Sequence, residues 1–100
     1  MLNVNEIQKI IFHALELIND ERPPEEKIKI DLNTQLFGVD AVLDSLSLVS
    51  VIVDVETAIS EAIGREISLT DDRAMSQAIS PFTAVNTLTA YIFLLLSATV

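Results

Sequence analysis

Cysteine is absent from this chain, and histidine occurs once. Without cysteine, neither disulfides nor thiolate metal sites can form. The redox state of the protein's compartment therefore cannot be inferred from cysteine use. His13 lies among the apolar positions of a predicted helix, so we interpret it as a packed or solvated side chain rather than as a ligand. We therefore predict no metal site.

Basic residues are also few. Six Lys and Arg residues stand against fifteen Asp and Glu residues, which gives a net charge of -9. Such a charge repels nucleic acid backbones and anionic lipid surfaces, and it favours partner proteins with basic docking patches. Half of the 100 residues are apolar, which is enough for one core. We predict a single domain over residues 1–100 and expect a monomer.

The usual catalytic arrangements are missing as well. No base stands beside a nucleophile, no Gly-x-Ser-x-Gly turn surrounds Ser45, and there is no glycine-rich phosphate loop. We therefore predict no catalytic residues and a protein that is not an enzyme. The N-terminal residues lack the basic and apolar regions of a secretion signal, which favours a cytoplasmic location.

The longest uncharged segment runs from Phe82 to Val100, nineteen residues, close to the length that spans a bilayer. Asn86 and five Ser or Thr residues interrupt its apolar character, and no basic cluster flanks it. Its apolar residues recur on one helical face, at Val85, Leu88, Ile92 and Leu95. We predict a core helix here rather than a membrane span.

An amphipathic first helix is predicted by apolar residues at intervals of three and four, namely Val4, Ile7, Ile11, Ala14, Leu15 and Ile18. Asn5 and Gln8 have the spacing of a capping box. The segment from Asn19 to Pro24 contains two consecutive prolines and is expected to end the helix.

From Glu21 to Leu43 the helical periodicity is lost. This predicts a long loop between the first and second helices, which must be either functional or held by a few apolar anchors. The candidate anchors are Ile28, Ile30, Leu32, Leu36 and Phe37.

The second helix is predicted over Ser45–Ile63, with Asp44 as its N-cap and Gly64 as its C-cap. Its apolar residues form two stripes, one of Leu48, Ile52, Val55 and Ile59 and another of Leu46, Val49 and Val53. Two interpretations of the second stripe stay open. Neighbouring helices cover it, or it faces an attached group or a partner protein.

The last third of the chain predicts two further helical segments. Thr70 to about Ala78 reads as a short helix after an extended stretch, and Ser80-Pro81 ends it. Phe82 is expected to fill the core, and Thr83 to cap a final helix from Ala84 to about Leu95. The prediction is an all-α bundle of four helices, three longer and one short.

The dipeptide Asp44-Ser45 stands at the start of the second helix. There the first-turn N–H groups lack partners and the helix dipole attracts anions, so a phosphate on Ser45 would lie in a favourable field. Most Asp-Ser pairs only cap a helix. The setting is more specific, because a helix and a long loop precede the pair and two helical segments follow it.

Several further segments fit one pattern: Leu36-Phe-Gly, Leu43-Asp-Ser-Leu, Val49, Val53-Asp-Val-Glu, Ile67-Ser-Leu and Ser80-Pro-Phe-Thr-Ala-Val-Asn-Thr-Leu. Over nearly its whole length the chain resembles the acyl carrier protein family. The resemblance implies a four-helix carrier fold in which Ser45 bears a covalent 4'-phosphopantetheine arm. Its thiol would carry acyl groups as thioesters, so a protein without cysteine would still do thiol chemistry.

The same resemblance assigns roles to other residues and to partners. A phosphopantetheinyl transferase would transfer the arm from coenzyme A, and Asp44 would help that enzyme and its metal engage. Leu46, Val49 and Val53 would contact the arm or partner enzymes that load and process acyl groups. Acidic residues near the second helix, Asp54 and Glu56 among them, would steer the basic surfaces of those partners.

The sequence departs from the common form of the family in two places. Ser47 and Ser50 occupy turns of the second helix where carboxylates are usual, and the chain ends in an apolar tail. These departures favour a dedicated carrier of a specialised pathway, with an acyl or an aminoacyl load. The alternative is an unmodified helical interaction module that binds a partner through its apolar second helix.

Overall fold

A computed structural model describes residues 2–38, 41–64, 66–69 and 82–98, with the side chains of Ser45 and Ala98 excepted. These residues form three α-helices, which we label α1 (Val4–Asp20), α2 (Ser45–Ile63) and α3 (Val85–Ala98). A single 3-10 turn, Pro24–Glu26, follows α1. Within the described ranges there is no β-strand, only an isolated antiparallel bridge between Gln35 and Ala84. The all-α prediction is confirmed at the level of class.

A capping box starts α1, but two residues before the predicted one. Asn3 Oδ1 accepts a hydrogen bond from the backbone N–H of Glu6 (2.8 Å), and Glu6 Oε1 accepts one from the N–H of Asn3 (3.1 Å). The prediction of Asn5 and Gln8 was therefore wrong. Both pairs have the required spacing, and the earlier one adds helical residues and places a carboxylate in the first turn.

The core is built around α1, which packs against both α2 and α3. The predicted stripe of α1 supplies Ile7, Ile11, Ala14 and Leu15, all buried, whereas Val4 at its start is exposed. From α2 come the predicted Ile52, Val55 and Ile59, together with Val51. From α3 come Val85, Leu88, Tyr91, Ile92, Leu95 and Leu96. The core stripe predicted for the C-terminal segment is thus confirmed.

The connection from α1 to α2, residues 21–44, is fixed to the end of α1 by Asn19. Its side-chain Nδ2 donates to the carbonyl of Ile28 (2.9 Å), and its Oδ1 accepts from the N–H of Ile28 (2.7 Å). This pair of bonds satisfies the backbone of a buried residue. Ile28 is therefore an anchor, as predicted.

Further along, the connection lies against the start of α3. The N–H groups of Val85 and Asn86 donate to the carbonyls of Thr34 (3.1 Å) and Leu32 (3.0 Å), and Leu36 N–H donates to Thr83 O (2.8 Å). First-turn N–H groups of a helix need such outside acceptors. The loop therefore caps α3, and α3 in turn fixes the loop.

Two of the predicted anchors are not buried. Leu36 is buried, whereas Leu32 and Phe37 are 41% and 53% exposed. A turn from Asp31 to Thr34 breaks the alternation of the segment and turns Thr34 inward, where its hydroxyl donates to Lys29 O and accepts from Asp31 N–H. Phe37 lies in the bend that follows Leu36, and there its ring is exposed.

The final helix also differs at both ends from its prediction. It begins at Val85, so Ala84 rather than Thr83 is the N-cap, and Thr87 Oγ1 accepts from the Ala84 N–H (2.9 Å). It continues to Ala98 because neither Gly nor Pro follows Leu95. Phe82 is half-buried against the core, as expected.

No helix in the described part of the chain is both long and apolar enough to cross a membrane. The predicted short helix from Thr70 to Ala78 and its end at Ser80-Pro81 lie outside the described residues.

Candidate functional site

The candidate site is the N-terminus of α2, which begins at Ser45 and is capped by Asp44 as predicted. Asp44 has extended backbone angles, and its Oδ1 accepts a hydrogen bond from the N–H of Ser47 (2.7 Å). At the other end, Gly64 terminates the helix with φ of +75°, a conformation that glycine adopts without strain. Both bounds of the helix agree with the prediction.

The carboxylate of Asp44 lies at the surface and stays ionised at neutral pH. Hydrogen bonds from the backbone N–H and from the hydroxyl of Ser47 hold the pKa of Asp44 below its ordinary value, and the positive charge of Arg22 adds to this effect. A negative charge therefore already occupies the positive end of the helix dipole.

Arg22 brings a positive charge to the same end of α2. Its Nη1 donates to the carbonyl of Glu26 and its Nη2 to that of Val42, both at 3.3 Å. The guanidinium thereby ties the 3-10 turn to the residues that lead into α2. Sequence reasoning missed this residue, because nothing in the linear pattern relates Arg22 to a carbonyl twenty residues away.

An exposed apolar stripe runs along α2 from the site. Leu46, Val49 and Val53 are 79%, 55% and 51% exposed. No charge interrupts the helix from Ser45 to Val53. The described helices therefore do not cover this stripe. This favours the second interpretation, in which the stripe faces an attached group or a partner.

The two predicted acidic residues lie on opposite sides of this stripe. Asp54 is exposed and faces α1, where it lines a small apolar cavity of about 220 Å³ together with His13 and Leu17. Glu56 is half-buried, and its Oε2 accepts from the backbone N–H of Leu69 (2.8 Å). Of these two carboxylates, only that of Asp54 is thus exposed to a partner. Glu56 holds the segment that follows α2.

A groove of about 380 Å³ opens beside Asp44. Leu36, Leu43 and Leu48 form its apolar surfaces, and Phe37 and Gly38 lie on its loop side. Sequence reasoning did not find this groove. Its walls come from a single stretch of the chain, Leu36 to Leu48, but their arrangement depends on the hydrogen bonds that hold the loop against Thr83 and the start of α3.

The candidate attachment residue lies between two exposed residues. Ser45 is the first residue of a helix, flanked by an exposed carboxylate and by the exposed side chain of Leu46. Among the residues with described positions, no group of three or more acidic or histidine side chains is arranged to hold a metal ion.

No protein-family model matches this chain, and neither a curated protein nor a solved structure matches it. The function is therefore inferred from the residues and their geometry.

Proposed function

We propose that the protein is an acyl carrier with a four-helix carrier fold, in which Ser45 is the attachment residue for 4'-phosphopantetheine. The observation that carries the proposal is the Asp44-Ser45 pair at the start of a helix whose next exposed residues are apolar. The neighbouring residues support the proposal, since Asp44 and Leu46 on either side of Ser45 are both exposed.

In the proposed modification, the hydroxyl oxygen of Ser45 forms a bond to the phosphorus that carries the pantetheine part of coenzyme A. The bond from that phosphorus to adenosine 3',5'-bisphosphate breaks, and the transferase takes up the serine proton. The arm, when bound, supplies a thiol on which acyl or aminoacyl groups are held as thioesters.

The chain's own residues contribute position and recognition. Asp44 keeps α2 capped and presents an ionised carboxylate to the transferase and its magnesium ion. Leu46, Val49 and Val53 offer the apolar contact surface, with Asp54 beside it as a charge for basic partner surfaces. The protein serves partner enzymes of a specialised biosynthetic pathway in the cytoplasm and performs no catalysis itself.

The test is the intact mass of the protein after incubation with coenzyme A, magnesium and a broad-specificity phosphopantetheinyl transferase. The wild type is expected to gain one phosphopantetheine group and Ser45→Ala none. Ser50→Ala is the matched control, because it removes another serine hydroxyl from the same helix and should be modified like the wild type.

The exposed stripe also supports a second candidate, an unmodified module that binds a partner through α2. A wild type that stays unmodified with several transferases, while its circular dichroism shows a folded helical protein, would contradict the carrier proposal and favour this module. In that case Ser45→Ala should cost only a few tenths of a kcal/mol in the free energy of unfolding and leave partner binding unchanged.

A further inference from the structure

We infer that the groove beside Asp44 receives the pantetheine arm and holds it between the loop and α2. This inference rests on the proposed function. It adds the place where the arm lies and the residues that contact it, namely Leu43 and Leu48 on the apolar side and Phe37 at the rim.

The position of the groove relative to the attachment residue is the first argument. Asp44 belongs to the groove lining, and Ser45 is the next residue. Ser45 also lies one helical turn before Leu48, another lining residue, so a group esterified to it starts next to the groove.

Hydrogen bonds and buried side chains fix the shape of the groove. Leu36 N–H donates to Thr83 O (2.8 Å), and Val42 N–H donates to Gln35 O (2.9 Å), so both ends of the loop segment are tied. Arg22 holds the carbonyl of Val42 from the other side. The buried side chains of Leu36 and Leu43 then fix the apolar surface. A preformed surface lowers the entropy cost of ordering a flexible arm.

The chemistry of the lining favours the arm over a plain alkyl chain. The arm carries two geminal methyl groups near its phosphate and two amides further out. Leucine side chains suit the methyl groups, and the polar backbone of Gly38 can lie against the amides. No atom lies within 4 Å of the position that a Cβ of Gly38 would take, so the backbone there is open to approach.

The other apolar surface of α2 is less suited to hold the arm. Leu46, Val49 and Val53 stand on a convex helix face and are more than half exposed. A ligand on such a face loses little contact with water, whereas a ligand in a groove is contacted from two sides. The stripe therefore remains available to partner enzymes while the arm lies in the groove.

The experiment uses protein modified with isotope-labelled phosphopantetheine, with complete modification established by intact mass. Nuclear Overhauser effects are then measured between the geminal methyls of the arm and the methyl and ring protons of the protein. We expect contacts to Leu43, Leu48 and Phe37. Contacts to Leu46, Val49 or Val53 instead, or no contacts, would contradict the proposal that the arm lies in the groove. The carrier function would be unaffected by that result.

Two alanine variants sharpen the result. Phe37→Ala removes a half-exposed ring from the rim, and Leu94→Ala removes an equally exposed apolar side chain from α3. The arm contacts should weaken severalfold in the first and persist in the second. If the arm contacts changed equally in the two variants, the arm would not lie against Phe37 in the groove. A wild type that gains no mass at all would overturn the carrier function and the groove together.

Discussion

At the scale of single residues, Asp44 has two roles that depend on its charge. Its carboxylate accepts the N–H of Ser47 and so satisfies one of the unpaired donors of α2. The same charge lies next to the proposed attachment residue. A phosphodiester on Ser45 would bring a second negative charge to this helix end and should raise the pKa of Asp44.

We expect the stability of the unmodified protein to depend on pH through Asp44. The pKa of Asp44 is lowered in the folded protein, first by the N–H of Ser47. The folded state therefore holds the proton less tightly than the unfolded state does. The stabilising contribution is complete above the unfolded-state pKa and is lost as the pH falls through the folded-state pKa.

Urea unfolding from pH 6 down to the acid range measures this effect. Asp44→Asn keeps an oxygen acceptor for the cap and removes the charge, so its stability should fall less steeply with acid than that of the wild type. Asp54→Asn is the control, since it neutralises an exposed carboxylate later in α2. Parallel curves for the wild type and Asp44→Asn would show that the cap charge does not stabilise the fold.

Among the structural elements, the connection between α1 and α2 is held by hydrogen bonds as well as by its buried apolar anchors, Ile28, Leu36 and Leu43. Asn19 binds the backbone of Ile28 twice, and the carbonyls of Leu32 and Thr34 accept the first N–H groups of α3. These bonds place the groove next to the start of α2. The described parts of the loop, residues 21–38 and 41–44, are therefore structural parts of the site.

Asn19→Ala tests how much this element contributes. The change leaves the N–H and the carbonyl of a buried residue without their partner, which costs about 1–3 kcal/mol in the free energy of unfolding. Asn33→Ala, in an exposed turn of the same connection, should stay within about 0.5 kcal/mol of the wild type. Urea unfolding measures both. Equal effects of the two variants would mean that the Asn19 hydrogen bonds do not stabilise the connection.

The helices could be predicted from the sequence where their signals are local. Asp44 and Gly64 mark both ends of α2, since capping and left-handed backbone are properties of single residues. The loop could not be predicted to the same degree. The choice of Thr34 over Phe37 as an inward residue depends on bonds to Lys29 and on the contact with α3, and these are distant in sequence or set by backbone geometry.

The candidate site divides in the same way. Asp44, the start of α2 at Ser45 and the stripe from Leu46 follow from the order of residues along one helix. Arg22 and the groove do not, because Arg22 donates to a carbonyl twenty residues away and the shape of the groove depends on the hydrogen bond between Leu36 and Thr83. The assignment of Ser45 as a modified residue stays a prediction.

Over the molecule as described, the basic residues lie apart from the helix that carries the apolar stripe. The basic residues in the described part of the chain, Lys9, Arg22, Lys27 and Lys29, all lie on α1 or in the connection that follows it. In contrast, α2 carries three carboxylates and no basic residue. A basic partner surface therefore meets three attractive charges and no repulsive one on α2. The stripe of Leu46, Val49 and Val53 then provides the close contact.

Substitutions of two valines of α2 distinguish residues that stabilise the fold from residues that contact a partner. Val51 is fully buried and Val53 is 51% exposed, so the same truncation is made at two positions of one helix. Val51→Ala should lower the free energy of unfolding by about 2–3 kcal/mol, the loss of two buried methyl groups and the resulting cavity. Val53→Ala should change it by less than about 0.5 kcal/mol, because alanine favours the helix and little buried area is lost.

The same pair should behave in the opposite way toward a partner. With both variants folded at low temperature, the initial rate of modification by the transferase should fall for Val53→Ala and stay close to wild type for Val51→Ala. Urea unfolding and time-resolved intact mass give the two measurements. If Val53→Ala were as unstable as Val51→Ala, the stripe would be covered in the folded protein and could not be a docking surface. If it were stable and modified at the wild-type rate, the transferase would not use the stripe.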